Sequence, residues 1–183
     1  MEGLEFYIYN DKLWCKTDTG VNEVVTEHST EIVSQILDAV RERYPKAYEA
    51  LEKVYGRSSM NTPYFQFLMA RRFCKCNFGK LDSTKLDRQR DGSFNFEKVE
   101  CPLRGECQYE GVICMPKFNS SLSDAELRVM QLVYDGLTKE QIAERLFLSP
   151  HTIKNHIKSV YAKLGIHDIG EFMRYANKNH LFE

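Results

Sequence analysis

Five of the chain's six cysteines fall between residues 74 and 114, spaced as Cys74-x-Cys76, then Cys101-x5-Cys107-x6-Cys114. Thiolates are soft ligands, and four of them suit a tetrahedral zinc ion or an iron–sulfur cluster. Four of the five residues Cys74, Cys76, Cys101, Cys107 and Cys114 are therefore the expected metal ligands. Tetrahedral sites often draw two ligands from each of two segments, which Cys74 and Cys76 at a helix end, with Cys101 and Cys107, would supply. Pro102 and Gly105 suit a ligand loop, because proline fixes the chain and glycine permits tight turning. Zinc is the leading expectation, as a staple for a long loop poor in apolar residues. An iron–sulfur cluster is the alternative and would make the loop a sensor of oxidants, and free thiols would respond by oxidation. Cys15 reads as a strand or core residue. The opening residues MEGLEFYIYND carry no export signal, so a disulfide framework is not expected.

A second set of side chains lies far along the chain. Ile153, Ile157, Val160, Tyr161 and Leu164 repeat at helical spacing and form an apolar stripe. The opposite side carries His151, Lys154, Asn155 and Lys158, donors suited to phosphates and base edges. Their positioning elements are written in local punctuation. Ser123 with Glu126, and Thr138 with Gln141, are capping boxes that open two helices. Gly136 is a natural stop for the first. Phe147-Leu148-Ser149 is a tight turn, Ser149 caps the third helix with Pro150 in its first turn, and Gly165 closes it. Asp168 with Glu171 can cap a fourth helix. Two helices joined by a tight turn, the second with a basic and amide-bearing outer face, make a helix-turn-helix.

The segment LSDAELRVMQLVYDGLTKEQIAERLFLSPHTIKNHIKSVYAKLGI resembles the LuxR/GerE-type helix-turn-helix. Leu122, Glu126, Gly136, Leu137, Thr138, Ile142, Ala143, Leu146, Ser149, Thr152, Ile153, Lys154, His156, Lys163, Leu164 and Gly165 all fit that pattern. The resemblance covers about one third of the chain. It implies a four-helix DNA-binding domain whose third helix enters the major groove of double-stranded DNA. It also implies a homodimer, joined through the fourth helix, on a roughly two-fold-symmetric operator. Carried over, Thr152, Lys154, Asn155 and Lys158 are the expected DNA-contacting residues; His156 either touches a phosphate or packs at the domain's edge, and His151 joins the set from the outer side of the helix. His167-Asp168-Ile169-Gly170 departs from the family, which usually shows Ser, Thr or Asn followed by Arg there.

The rest of the chain reads as a separate domain, with residues 1–118 before and 119–183 forming the DNA-binding part. LEFYIYNDKLWCK predicts a β-hairpin around Asn10-Asp11, and residues 17–28 read as polar and turn-like. Ile32, Val33, Ile36, Leu37 and Val40 predict one helix. Ala47, Tyr48, Leu51, Val54 and Tyr55 predict another after Pro45. Gly56-Arg57-Ser58-Ser59 breaks that helix, and Pro63 opens an aromatic-rich third one running towards Cys74. Its aromatics read as core rather than a ligand pocket. The expected class is mainly α: an N-terminal α+β domain with a cysteine-rich loop, then a four-helix domain. From Arg71 to Arg90 seven basic residues face only Asp82 and Asp87, read as a solvated loop before a phosphate-contacting one.

The 183 residues balance 25 Lys+Arg against 26 Asp+Glu, which excludes a grossly basic nucleic-acid coat but not a local positive surface. No apolar run approaches a membrane span, and a cytoplasmic protein is expected. Residues 1–118 lack the acidic pair, central Asp and late Lys of a phosphorylation receiver on alternating strands and helices. They also lack the pattern of an acyl-homoserine-lactone domain, with Trp14 the only Trp. The leading reading is a one-piece transcription regulator whose N-terminal domain binds zinc and serves dimerisation or signal input. An enzyme is not expected. A thiol oxidoreductase using Cys74-x-Cys76 would lack a histidine anywhere between residues 29 and 150. An adaptor docking a protein through the N-terminal aromatics is the remaining alternative.

Overall fold

The computed structural model describes residues 3–81 and 85–182, so Asp82 of the basic run lies outside the described residues. It divides into two compact units, residues 1–117 and 118–183. The N-terminal unit starts with a three-stranded antiparallel sheet: β1 (Leu4–Tyr9), β2 (Lys12–Thr17) and β3 (Asn22–Val25), in that order. Asn10 and Asp11 both sit at positive φ, 48° and 56°, which gives a two-residue turn the twist a hairpin needs. Pairing Tyr9 with Lys12 and Phe6 with Cys15 sends Leu4, Phe6, Leu13 and Cys15 inward. β3 corrects the turn-like reading of residues 17–28. Val25 opposite Leu13 buries one face, while Asn22 and Glu23 stay exposed, so the polar residues hid a half-buried strand.

Three helices follow, as expected: α1 (Thr30–Arg43), α2 (Pro45–Tyr55) and α3 (Thr62–Asn77). Pro45 in the first turn of α2 separates it from α1 at Tyr44. Gly56–Ser58 forms a single 3-10 turn before α3. The inner faces of α1, α2 and α3 bury Val33, Ile36, Val40, Ala47, Leu51, Met69 and Phe73. Phe73, Phe78, Phe94 and Phe96 with Tyr44 make a cluster of rings whose centroids lie 5.1–6.5 Å apart. Burial in it pushes the Tyr44 phenol up to about 12. Of the aromatics at the start of α3, Tyr64 is 39% exposed, so only the C-terminal end of that helix serves the ring cluster.

The segment after α3 is tied back by backbone pairing. Leu4 and Arg88 exchange N–H···O bonds of 2.9 Å in both directions. The Phe6 N–H donates to the Asp87 carboxylate at 2.6 Å. The basic run therefore is not one solvated loop. Arg71 pairs with Asp11 at 2.7 Å, Arg90 pairs with Asp18 at 2.8 Å, and Arg88 is buried.

The C-terminal unit is four helices: α4 (Asp124–Tyr134), α5 (Lys139–Leu146), α6 (Pro150–Leu164) and α7 (Ile169–Lys178). Both expected capping boxes are complete. Ser149 Oγ accepts from the Thr152 N–H at 3.0 Å, and Asp168 accepts from the Glu171 N–H at 2.8 Å. Met130, Val133, Ile142, Ile153, Val160, Phe172 and Ala176 form its core. Gly165 ends α6 at φ 64°. No atom stands near the position of an added Cβ there, so Gly165→Ala meets no clash and tests the backbone alone. Thermal melting of the variant is expected to show a loss of about 1 kcal/mol from the left-handed conformation.

Candidate nucleic-acid interface

α5 and α6 are joined by Phe147 and Leu148, with Phe147 in the left-handed conformation at φ 55°. That residue reverses the chain within one position and lets Ser149 start the next helix. Ile153, Ile157 and Val160 face the core, so the opposite face of α6 is free. His151, Lys154, Asn155 and Lys158 are all exposed there, at the i, i+3, i+4, i+7 spacing of a single stripe. Two cations and an amide along one helical stripe can hold phosphates and read a base edge. Thr152 and His156 are half-buried at its margin. The Thr152 hydroxyl lies 2.9 Å from Ser149 Oγ and so belongs to the cap of α6.

The stripe is held by a bond that the sequence pattern did not announce. Glu126 completes its capping box at the start of α4, and its carboxylate also reaches α6. It accepts from Ser159 Oγ at 2.8 Å and from Lys163 Nζ at 2.7 Å. It further accepts from the Ser123 N–H at 2.9 Å. The Lys163 ammonium first, then these hydroxyl and amide donors, hold the Glu126 carboxyl down at about 2. Ser159 and Lys163 lie four apart, which is the signal that one face of α6 meets a single partner.

The family described as bacterial regulatory proteins, luxR family, matches residues 120–176. Residues 120–176 are a luxR-family helix-turn-helix domain. Transcriptional regulatory protein LiaR of Bacillus subtilis is 31% identical over 99 residues, 52% of this chain and 46% of LiaR. Fimbriae Z protein of Salmonella typhimurium is 38% identical over 60 residues, 33% of this chain and 29% of that protein. The DNA-binding transcriptional activator DevR/DosR of Mycobacterium tuberculosis is 45% identical over 47 residues, 26% of this chain and 22% of that protein. The chain thus spans less than half the length of these relatives. No solved structure matches. No helix among the described residues is long and apolar enough to cross a membrane.

Away from the luxR-family domain, the cysteines divide into two groups. Cys76, Cys101, Cys107 and Cys114 line one cavity of about 750 Å³ in the N-terminal unit. Cys74 is not among them. It is 1% exposed on the core side of α3, and burial pushes its thiol well above the ordinary range. The pairing of Cys74 with Cys76 is therefore not made. Two positions apart on a helix is about 200°, and the helix runs on through both residues to Asn77. Burial also raises the Cys76 thiol, against the lowering pull of Arg72. Such a pair lacks the shared, low-pKa setting of a thiol oxidoreductase. Among the described residues no three His, Cys, Asp or Glu side chains are drawn together as a metal-ligating group.

Proposed function

We propose that this chain is a sequence-specific transcription regulator that places α6 in the major groove of double-stranded DNA. The exposed stripe His151, Lys154, Asn155 and Lys158, on the second helix of a luxR-family helix-turn-helix, carries this reading. Lys154 and Lys158 neutralise phosphates, and Asn155 offers a bidentate amide to an adenine edge. Thr152 and His156 are supporting contacts at the margin of the stripe. The names of its relatives, regulators of transcription among them, point the same way.

The DNA-binding residues 119–183 hold eight Lys+Arg against eight Asp+Glu, so one copy has little long-range attraction for DNA. We infer that two copies bind together on a two-fold operator, with the N-terminal unit contributing to dimerisation or to signal input. Ile169, 55% exposed at the start of α7, is an apolar residue available for such a contact.

Fluorescence anisotropy on duplexes selected from a random pool, measured at several salt concentrations, tests the assignment. Lys154→Ala and Lys158→Ala are each expected to weaken binding to all sequences alike and to lower the salt slope by about 1. Asn155→Ala is expected to cost about 1–3 kcal/mol on the selected site and little on random DNA. Wild-type affinity and slope in all three variants would remove α6 from the interface.

A further inference from the structure

The cysteine loop is unusual for a folded segment. No residue from Asn95 to Val112 is buried. Leu103, an apolar residue in its middle, is 51% exposed. The loop nonetheless holds a defined course through its own polar bonds. The Gly105 N–H donates to the Glu110 carboxylate at 2.7 Å, Arg104 pairs with the same carboxylate at 3.3 Å, and the Cys107 N–H donates to the Leu103 carbonyl at 2.9 Å. Exposed polar bonds of this kind contribute little net stability, and the apolar anchoring lies at the loop's start, where Phe96 joins the ring cluster, and at its end, where Ile113 is buried.

What this loop presents to the domain is sulfur. Cys101, Cys107 and Cys114 line the same cavity as Cys76, which stands on the last turn of α3. The Asn77 side chain fixes two of the four. Asn77, next to Cys76, donates to the Ile113 carbonyl at 2.8 Å and accepts from the Met115 N–H at 2.7 Å, so the residues on both sides of Cys114 are clamped to the end of α3. Among the described residues the cavity lining carries Arg72, Lys75, Lys80, Lys98 and Arg104 against the carboxylates Glu97, Glu100 and Glu110. Arg72 holds a buried Nε without a hydrogen-bond partner among the described residues.

We propose that Cys76, Cys101, Cys107 and Cys114 bind one zinc ion as four thiolates, with Cys74 and Cys15 outside the site. Four thiolates around Zn²⁺ carry a net charge of −2, which the excess of cations over carboxylates in the lining offsets. Binding exchanges four S–H bonds for four Zn–S bonds and releases four protons to water, with no change of oxidation state. The thiols line the cavity without meeting, so the ion draws the loop in against the clamped Cys76 and Cys114. A closed site of four protein ligands is a structural one, in keeping with a loop anchored at its two ends but with no buried residue between Asn95 and Val112. The proposal rests on the N-terminal unit alone and stands apart from the DNA-binding reading, since metal content is read without DNA.

Titration of the metal-free, reduced full chain with Co²⁺ and then Zn²⁺ tests it. The expected result is one ion per chain, with thiolate-to-cobalt charge transfer and the visible bands of tetrahedral cobalt, bleached by zinc. Alkylation of the native chain followed by mass mapping should label Cys76, Cys101, Cys107 and Cys114 without metal and spare them with zinc. Cys101→Ser, at an exposed position, should weaken zinc binding by about 100-fold or more, since even outer-shell changes cost about 10–100-fold. Three results would each overturn the proposal: no tetrahedral cobalt signal, labelling of any of the four thiols at saturating zinc, or iron with sulfide in the chain purified without oxygen.

Discussion

Asn77→Ala is expected to lower the stability of the N-terminal unit by about 3 kcal/mol. Asn77 is fully buried at the last position of α3. Its amide donates to the Phe73 carbonyl at 2.9 Å and to the Ile113 carbonyl at 2.8 Å, and its oxygen accepts from the Met115 N–H at 2.7 Å. Alanine removes all three bonds and leaves a void beside buried Phe73 and Ile113. Each buried group left without a partner costs about 1–3 kcal/mol, more than the bond itself contributes. Urea unfolding followed by Trp14 fluorescence reports this unit selectively, because the chain has one Trp and it lies on β2. A loss below about 1 kcal/mol would mean that water replaces the amide and that the clamp does not organise the loop. Asn77→Asp keeps the acceptor but sets a buried carboxylate oxygen against the Phe73 and Ile113 carbonyls, so it should cost at least as much as alanine.

The second large effect is on the C-terminal unit and depends on pH. Glu126→Gln is expected to cost about 2 kcal/mol near neutral pH, the usual worth of hydrogen bonds to a charged group. Glu126 ordinarily titrates near 4.5, and in the fold its carboxyl is held at about 2, chiefly by Lys163. The folded state therefore binds a proton less readily than the unfolded chain. The stability this adds is fully present above about pH 4.5, and it is lost as pH falls towards about 2. The amide of the Glu126→Gln variant cannot titrate, so that protein should start lower and lose less across the same window. Amide exchange of α4 and α6 at two pH values reads this directly. Equal losses on acidification in both proteins would assign the acid sensitivity to other carboxylates. The link matters for DNA binding because Glu126 ties the start of α4, through Ser159 and Lys163, to the helix that carries Lys154, Asn155 and Lys158.

What could be read from sequence was what is encoded within a few residues. The capping boxes at Ser123 and Thr138, the left-handed Gly136 and Gly165, and Pro150 in the first turn of α6 each set their own surroundings. The DNA-facing stripe follows from periodicity once α6 is known. Non-local features were hidden. Phe94 and Phe96 stack at 5.9 Å and pack with Phe78, yet they sit in a stretch without helical or strand spacing. β3 was missed because Asn22–Val25 is short and only Val25 is fully buried. The Glu126–Lys163 bond spans 37 positions, and no local rule connects them. The division of Cys74 from Cys76 was within reach. It required extending α3 by one turn to Asn77, whose side chain, bonded to the Phe73 carbonyl, caps the helix end from within.

The pairing of Leu4 with Arg88 sets a clock on biosynthesis. Strand β1 gives up its outer edge to a residue 84 positions later. At 5–20 residues per second, roughly 4–17 s of translation separate the two. During that interval β1 emerges with the open hydrogen-bonding edge that favours pairing with neighbouring chains. The four helices of the C-terminal unit are sequential neighbours whose contacts close over short loops, so they fold on a far shorter timescale. The ribosome thus releases the slow unit before the fast one. The nascent chain is most exposed to aggregation just before Asp87 and Arg88 arrive to cover that edge.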